Sequence, residues 1–312
     1  MNALQILSPI FLVIVLGAWL CRRGHYSAEF FRDANRLTYA IGLPAMLFRE
    51  VAMAPLRGSR TAPTTVVLLG AALAAGLVAA LLARARRLSA PRTAALISCA
   101  FRGNIAYAGL PIVMFALPFF PSGETAWGAT AALCLALMTL INNVACILLC
   151  QVLTHRSADQ RRALLRSIAL NPLILASAGG GIVALSGLTL PPFALRTLQV
   201  IGNMALPMAL LGLGASLDFA KLRDGALGWA AVAALLKTLF SPLIGWGLAR
   251  AMGLGPEETL IALIYLSCPT AVSMYIMARP LGADEPLTGA AIALSTLVSA
   301  VPLTLSLILF AP

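Results

Sequence analysis

Two positively charged side chains, Arg102 and Lys237, stand in the middle of long uncharged stretches. Arg102 is the only charged residue between positions 93 and 123, and Lys237 is the only one between 225 and 249. A cation in the middle of a membrane-spanning segment is costly and usually marks a substrate or ion pathway. Each cation precedes a proline, in the runs FRGNIAYAGLP and LLKTLFSP. Together they predict a membrane protein that handles a small anion.

Glycine, asparagine and proline cluster beside Arg102, and a similar cluster surrounds a second proline. The first cluster is Gly103-Asn104 with Gly109-Leu110-Pro111, and the second is Ser267-Cys268-Pro269-Thr270. Proline removes a backbone donor and glycine weakens a helix, so both segments are predicted to be interrupted at membrane depth. Such interruptions are tolerated where the backbone lines a cavity. The free N–H groups and positive dipole ends of two interrupted helices would form a carboxylate site.

The predicted substrate-binding residues come from these two clusters, with one addition from a neighbouring segment. They are Arg102, Asn104, Gly109, Pro111, Asn142, Cys268, Pro269 and Thr270. A planar guanidinium suits bidentate binding of a carboxylate, while Asn104 adds amide donors and Thr270 a hydroxyl. Two alternatives stay open. Arg102 could snorkel or bind backbone carbonyls at the break, and Asn142 could form an interhelical hydrogen bond.

Lys237, Pro44 and Pro207 are predicted to have gating or structural roles. Lys237 would pair with helix ends or hold one group of helices to another, and direct contact with the substrate is the alternative. The six cysteines show no CxxC or zinc spacing, so neither a metal nor a cofactor is predicted.

The elements that must position these residues are membrane helices. The chain has 312 residues, 60% of them hydrophobic and 11% charged, whereas an ordinary soluble domain has about 25% charged residues. Uncharged runs longer than the roughly 20 residues that a helix needs to cross a bilayer fill the chain. The pattern predicts an all-α membrane protein, a single integral domain over 1–312 with about ten helices. They are expected near 4–21, 34–54, 63–83, 92–119, 125–150, 170–187, 195–217, 226–250, 258–278 and 287–310.

The distribution of Lys and Arg predicts the orientation of the chain. Fifteen of these residues lie in alternate connections beginning with the first, and five lie in the other connections. The positive-inside rule places the first set in the cytoplasm and both termini outside. The net charge of +11 belongs to these loops, so no nucleic-acid partner is predicted.

The chain divides into two similar halves, a first repeat over 1–153 and a second over 168–312, around a polar cytoplasmic loop at 154–167. Three landmark pairs have nearly the same offset: Pro9 with Pro172 and Pro44 with Pro207 at 163 residues, and Pro111 with Pro269 at 158. Five helices in each half give the second half the opposite orientation. Inverted repeats with interrupted helices in matching positions indicate a secondary transporter with a midplane site.

Acidic residues and histidines are missing from the predicted membrane interior. All eleven Asp and Glu residues fall in loops or near helix ends, and both histidines fall in cytoplasmic connections. Proton relays and cation sites usually need intramembrane carboxylates or histidines, so cation coupling is disfavoured. Sodium held by carbonyls and amides stays open. No HExxH, GxSxG or P-loop motif occurs, so an enzyme is not predicted.

The motifs resemble those of the auxin efflux carrier family over essentially the whole chain. They are Leu43-Pro44-Ala45, Asn104-x4-Gly109-Leu110-Pro111, Asn171-Pro172, Gly212-x-Gly214-Ala215-Ser216-Leu217, Lys237-x4-Pro242, and Cys268-Pro269-Thr270 with Ala278-Arg279. The resemblance implies an inverted repeat of ten helices like that of bile-acid:sodium symporters, with helices 1, 2, 6 and 7 as a scaffold and the others as a transport domain. It also implies that helices 4 and 9 cross at their prolines, that a carboxylate binds there beside Asn104, and that a homodimer can form.

Two departures from the plant members of that family narrow the expected function. The central loop is short, and Arg102 stands beside the crossing where plant members tend to be apolar. A more highly charged anion is therefore expected. Together with the resemblance to bacterial members of the family, this implies a carrier of a bacterial inner membrane that moves a small organic dicarboxylate, malonate-like, by alternating access, with that anion and the lipid bilayer as its partners. The alternatives are a sodium- or proton-coupled symporter of another organic anion and a non-transporting membrane sensor with the same fold.

Overall fold

Helices make up nearly all of the described part of the protein. The computed structural model describes residues 3–53, 61–116, 124–154, 170, 172–215 and 227–310. Within those residues there is no β-strand, only an isolated antiparallel bridge between Gly103 and Thr270. The predicted loop 154–167, except Thr154, lies outside the described residues, and so do Asn171, Ser216 and Leu217.

The described residues form fifteen α-helices. In chain order they are α1 (Ala3–Arg22), α2 (Ala28–Leu37), α3 (Leu43–Ala52), α4 (Thr61–Ala85), α5 (Ala90–Phe101), α6 (Leu110–Ala116), α7 (Glu124–Thr154), α8 (Pro172–Ser186), α9 (Pro192–Asn203), α10 (Ala205–Ala215), α11 (Leu227–Leu235), α12 (Ser241–Ala251), α13 (Pro256–Ser267), α14 (Ser273–Leu281) and α15 (Glu285–Phe310).

Five helical stretches of the described residues are long and apolar enough to cross a bilayer. They are Thr61–Ala85, Trp127–Cys150, Pro192–Gly212, Leu227–Ala251 and Glu285–Phe310. Shorter apolar helices include Leu12–Arg22, Ile105–Ala116 and Pro172–Ser186. The predicted all-helical membrane class is confirmed, while the number of ten crossings stays a prediction.

The second predicted helix begins earlier than expected. It was predicted from residue 34, but α2 begins at Ala28 because the Ser27 side chain caps it, accepting a hydrogen bond from the Phe30 N–H at 3.0 Å. A serine N-cap satisfies one of the free N–H groups at a helix start. Arg32 and Arg36 therefore lie on a helix and not in a loop.

A wide π-helical turn, ending two residues before a proline, directly precedes each of the helices α3, α6 and α12. The turns and their prolines are Thr38–Gly42 with Pro44, Ile105–Gly109 with Pro111, and Leu236–Phe240 with Pro242. Proline cannot donate to the preceding turn, and its ring collides with the carbonyl four residues earlier. A wider turn accommodates that collision, and such π-bulges frequently accompany functional sites.

The helices form two packing groups, defined by their closest neighbours. In the first packing group α1 and α2 lie against α10, and α3 lies against α8 and α9. In the second packing group α4 packs on α5, α12 and α13, while α11 and α13 pack on α15. α7 contacts helices of both groups. Every residue from Glu258 to Ser267 of α13 is buried, which fits a helix that is largely apolar all round and lies inside a bundle.

Candidate functional site

The two interrupted segments cross each other where their helices stop. α5 ends at Phe101 and α13 ends at Ser267, and the backbone after each is extended. The Asn104 N–H donates to the Pro269 carbonyl at 2.7 Å, and the Ala271 N–H donates to the Arg102 carbonyl at 3.1 Å. We call residues 102–104 and 268–271 the crossover. These bonds satisfy backbone groups that the breaks would otherwise leave unpaired in the protein interior.

Thr270 anchors the crossover to its neighbours. Its N–H donates to the Ser295 hydroxyl at 3.0 Å, and its own hydroxyl donates to the Cys99 carbonyl at 3.0 Å. The sequence reasoning expected this hydroxyl to bind the substrate. The structure instead uses its hydrogen to join α5 to the crossover, so only the lone pairs of the oxygen remain for another partner.

Arg102 directs its guanidinium to the start of α14. The side chain is buried, with 8% of the residue exposed. One terminal nitrogen donates to the Ser273 hydroxyl at 3.2 Å, and the other contacts the Met274 sulfur at 3.6 Å. Ser273 is the first residue of α14, so the cation lies at the positive end of that helix dipole. The full positive charge of the guanidinium and the partial positive charge of the helix end, in one buried place, favour an anion.

Asn104 carries a buried donor that has no partner among the described residues. Only 3% of the residue is exposed, and its side-chain Nδ2 is unpaired. The backbone carbonyl of Asn104 accepts hydrogen bonds from the backbone N–H groups of Ala108 and Gly109, at 3.0 and 3.2 Å, and so starts the π-helical turn. Buried side-chain donors nearly always have a partner, so the unpaired Nδ2 favours a ligand with acceptor oxygens.

Gly109, Pro111 and Cys268 shape the packing at the crossover. A Cβ at Gly109 would lie 2.8 Å from Cδ1 of Tyr265 and 3.0 Å from the Cys268 sulfur. The missing side chain therefore lets the turn before α6 approach α13. The Cys268 thiol donates to the Ile264 carbonyl at 3.1 Å, and Pro111 is buried in α6.

Lys237 caps the end of α13. The residue is 2% exposed, and its Nζ donates to the Leu266 carbonyl in the last turn of that helix. A Cβ at Gly103 would lie 2.7 Å from Cε of Lys237. The ammonium therefore contacts the negative end of a helix dipole, on the side of the crossover that Gly103 faces.

Asn142 is buried in α7, near the edge of the same region. Cys146, one turn further along α7, contacts the Met274 sulfur at 3.4 Å and the Ser98 hydroxyl at 3.6 Å. Residues four apart on a helix share a face, so Asn142 lies on the face of α7 that reaches α5 and α14.

Pro44 and Pro207 lie away from the crossover, in the first packing group. Pro44 is half-buried near the start of α3, and Pro207 is exposed on α10. A Cβ at Gly42 would lie 3.4 Å from Cβ of Ala205. The irregular turns before the two prolines are therefore in contact, just as those of the crossover are.

Ser273, Met274 and Ser295 were missed by the sequence reasoning. Ser273 and Met274 follow Pro269 by four and five residues, which places them in the first turn after the break. First-turn residues of an interrupted helix face the site, so their position after the proline was a usable signal. Ser295 lies in an apolar helix remote in sequence, and no local pattern marks it.

Comparisons with known sequences also indicate a membrane transporter. Residues 3–162 and 154–307 match the sequence model of a family described as membrane transport protein. The chain is 23% identical over 314 residues to an "Uncharacterized transporter" of Methanothermobacter thermautotrophicus, covering 98% of this chain and 97% of that protein. It is 25% identical over 313 residues to a "Putative malonate transporter" of Rhizobium meliloti, covering 95% of this chain and 92% of that protein.

Proposed function

The chain belongs to the membrane transport protein family, and on that premise we propose that it carries a small organic dicarboxylate, malonate-like, across a bacterial inner membrane by alternating access. The observation that carries this proposal is the buried guanidinium of Arg102 at the first turn of α14, next to the unpaired Nδ2 of Asn104. The relative named for malonate supports the choice of a dicarboxylate.

The backbone of the crossover supports one binding face. The backbone is extended at Arg102, and a Cβ at Gly103 would point at Lys237; alternation along such a chain would place Arg102 and Asn104 on the side opposite to Gly103. One carboxylate would accept two parallel bonds from the Arg102 guanidinium. The Asn104 amide would donate to the second carboxylate, and the positive end of α14 would add to the attraction.

The packing supports the predicted inverted repeat of ten helices. The turn before Pro44 contacts the turn before Pro207, and the break beside Pro269 contacts the break before Pro111. These are the landmark pairs of the two halves, and each landmark meets its own counterpart. An axis relating the halves would pass through both contacts. The pairing of α1 with α10 has its counterpart in α8 with α3.

Alternating access would move the second packing group against the first. The Tyr107 hydroxyl donates to the Asn35 carbonyl at 3.3 Å, and the rings of Tyr39 and Tyr107 stack with centroids 6.0 Å apart. These contacts join α2 and its π-helical turn to the turn that follows Asn104. Closure on one side of the site would be made there. The basic connections would face the cytoplasm and both termini the outside.

The test is uptake of radiolabelled malonate into proteoliposomes containing the purified protein. Arg102→Ala and Asn104→Ala are compared with wild type and with Arg196→Ala, which removes an exposed arginine from α9 as the matched control. We expect uptake by wild type and control, and loss of uptake in the two crossover variants. Folded wild-type protein that moves no malonate would refute the substrate, and uptake by both crossover variants would refute the site.

A further inference from the structure

The surroundings of Lys237 resemble a cation site made of neutral oxygens. The ammonium donates to the Leu266 carbonyl, which belongs to the last turn of α13 and has no later helical N–H to accept. In carriers with interrupted helices, carbonyls at the end of a half-helix commonly hold the transported or coupling cation. Here a side chain of the protein takes that contact.

Two hydroxyl oxygens that lie close to Leu266 and Lys237 along the chain lack a partner among the described residues. Ser241 and Ser267 are 1% and 0% exposed, and the hydroxyl oxygen of each is buried and unpaired. Ser267 follows Leu266 directly, and Ser241 follows Lys237 by four residues, about one helical turn. Hydroxyl and carbonyl oxygens are ligands that a hard cation prefers.

Gly103 closes the same place from the crossover side. A Cβ there would lie 3.0 Å from Nζ of Lys237 and 3.4 Å from the Tyr265 carbonyl oxygen. The ammonium is thus enclosed by the backbone of both interrupted segments. The two segments contain no acidic residue except Glu257 and Glu258 at the start of α13, so the local negative potential comes from the end of the α13 dipole.

We propose that the Lys237 ammonium is a built-in cation that fills the place of a coupling ion, so that the carrier works without sodium. This inference rests on the proposed transport function, but the cation site itself can be tested without the substrate. Removing the side chain would free the Leu266 carbonyl, and we expect the cavity left there to bind an alkali cation with the help of the Ser241 and Ser267 hydroxyls, which have no partner among the described residues.

The test is the melting temperature of purified protein in detergent, measured in sodium, potassium and choline chloride at equal ionic strength. Wild type and the control Arg196→Ala should melt at the same temperature in all three salts. Lys237→Ala should melt several degrees higher in sodium or potassium than in choline, with saturation, because a ligand that binds only the folded state raises its stability. Adding Ser267→Ala to Lys237→Ala should weaken that shift.

Lys237→Met provides the second variant, because its side chain fills the cavity without a charge. It should fold and show the same melting temperature in all three salts. A sodium-dependent shift in wild type would overturn the proposal. So would a folded Lys237→Ala that does not respond to cations, or a Lys237→Ala that stays unfolded in every salt while Lys237→Met folds.

Transport measurements distinguish failure of this inference from failure of the proposed function. Wild-type uptake of malonate should be unchanged when choline replaces sodium, and uptake by Lys237→Ala should require an alkali cation. Absence of malonate uptake by wild type would refute the substrate alone, because the melting-temperature result does not depend on malonate. Sodium-dependent uptake by wild type would refute the built-in cation alone.

Discussion

Arg102 and Lys237 are two buried cations on opposite sides of one short piece of backbone, and they meet opposite ends of helices. The Lys237 ammonium contacts the carbonyl end of α13, where its charge is compensated by the helix dipole. The Arg102 guanidinium contacts the first residue of α14, where the dipole has the same sign as the cation. Equal charges therefore have different consequences in the two places.

We propose that this difference separates a cation that stabilises the fold, Lys237, from one that binds a ligand, Arg102. Lys237 completes the end of a helix whose last carbonyls have no N–H partner. Arg102 raises a potential that is already positive, and Ser273 and Met274, which orient its guanidinium, are both uncharged. In the proposed function, the substrate anion would add a negative charge to the surroundings of this buried guanidinium.

The crossed pair Arg102→Met and Lys237→Met tests this comparison and should give the largest effects. Arg102→Met should weaken malonate binding about 100-fold, since a hydrogen bond to a charged group contributes about 1.5–3 kcal/mol. Its unfolding free energy without ligand should stay nearly unchanged. Lys237→Met should lower the unfolding free energy by about 2 kcal/mol, because it leaves a buried carbonyl unpaired, and should retain malonate affinity.

Both quantities come from thermal melts in sodium-free detergent solution over a range of malonate concentrations. The melting temperature without ligand reports stability, and its rise with malonate reports affinity. The comparison would be wrong if Arg102→Met were the less stable of the two variants, or if Lys237→Met abolished the response to malonate.

Gly103→Ala brings a methyl group against the compensated cation. Its Cβ would lie 2.7 Å from Cε of Lys237, whose buried side chain has little room to move. Overpacking of this kind costs about 1–3 kcal/mol, and the extended backbone at Gly103 gains no helix propensity in return. A thermal melt should show a loss of about 2 kcal/mol in unfolding free energy.

A double-mutant cycle identifies the cause of that loss. Adding Gly103→Ala to Lys237→Ala should cost much less than adding it to wild type, because the colliding atoms are gone and contacting residues are not additive. If Gly103→Ala lowered the unfolding free energy equally in wild type and in Lys237→Ala, the added methyl group would collide with a group other than the Lys237 side chain.

Gly109→Ala acts in the π-helical turn that follows the crossover, Ile105–Gly109, and should cost less. Its Cβ would lie 2.8 Å from Cδ1 of Tyr265, whose hydroxyl is fixed to the Ala131 carbonyl at 2.8 Å. Alanine recovers up to about 1 kcal/mol of helix propensity, so a net loss of about 1–2 kcal/mol remains. Gly181→Ala is the matched control, since nothing lies within 4 Å of its added Cβ; its stability should stay equal or rise.

The apolar runs of the sequence predicted the positions of long helices, because a helix that crosses a bilayer needs about 20 apolar residues. The segments predicted at 63–83 and 226–250 correspond to Thr61–Ala85 and Leu227–Ala251. The start at Ala28 was missed because α2 is strongly polar, and apolar content alone does not reveal a helix held by a serine cap. The three π-helical turns were also missed, since proline predicts an irregularity without its form.

The positions of the two backbone breaks could be predicted from the sequence, but the contacts around the candidate site only in part. Proline and glycine at 103–111 and 267–270 indicated where the backbone breaks, and both breaks are present. The partners of the polar side chains depend on the tertiary crossing, which joins Arg102 to Ser273 and Thr270 to Cys99. Such pairs lie 171 residues apart in each case, and no local pattern encodes them.

Thr270→Val should have the smallest effect and decides between binding and anchoring at the second break. The variant keeps the shape of the side chain and removes the hydrogen bond to the Cys99 carbonyl at 3.0 Å. Stability should fall by about 1 kcal/mol, the usual contribution of such a bond. Malonate affinity should change less than about threefold, an energy well under 1 kcal/mol.

Ser273→Ala is the variant to compare with Thr270→Val, because it removes a group that orients Arg102 and should weaken malonate affinity more than it lowers the melting temperature. If Thr270→Val lost malonate binding at unchanged stability, the hydroxyl would belong to the substrate, and the second break would supply a ligand as well as a helix end.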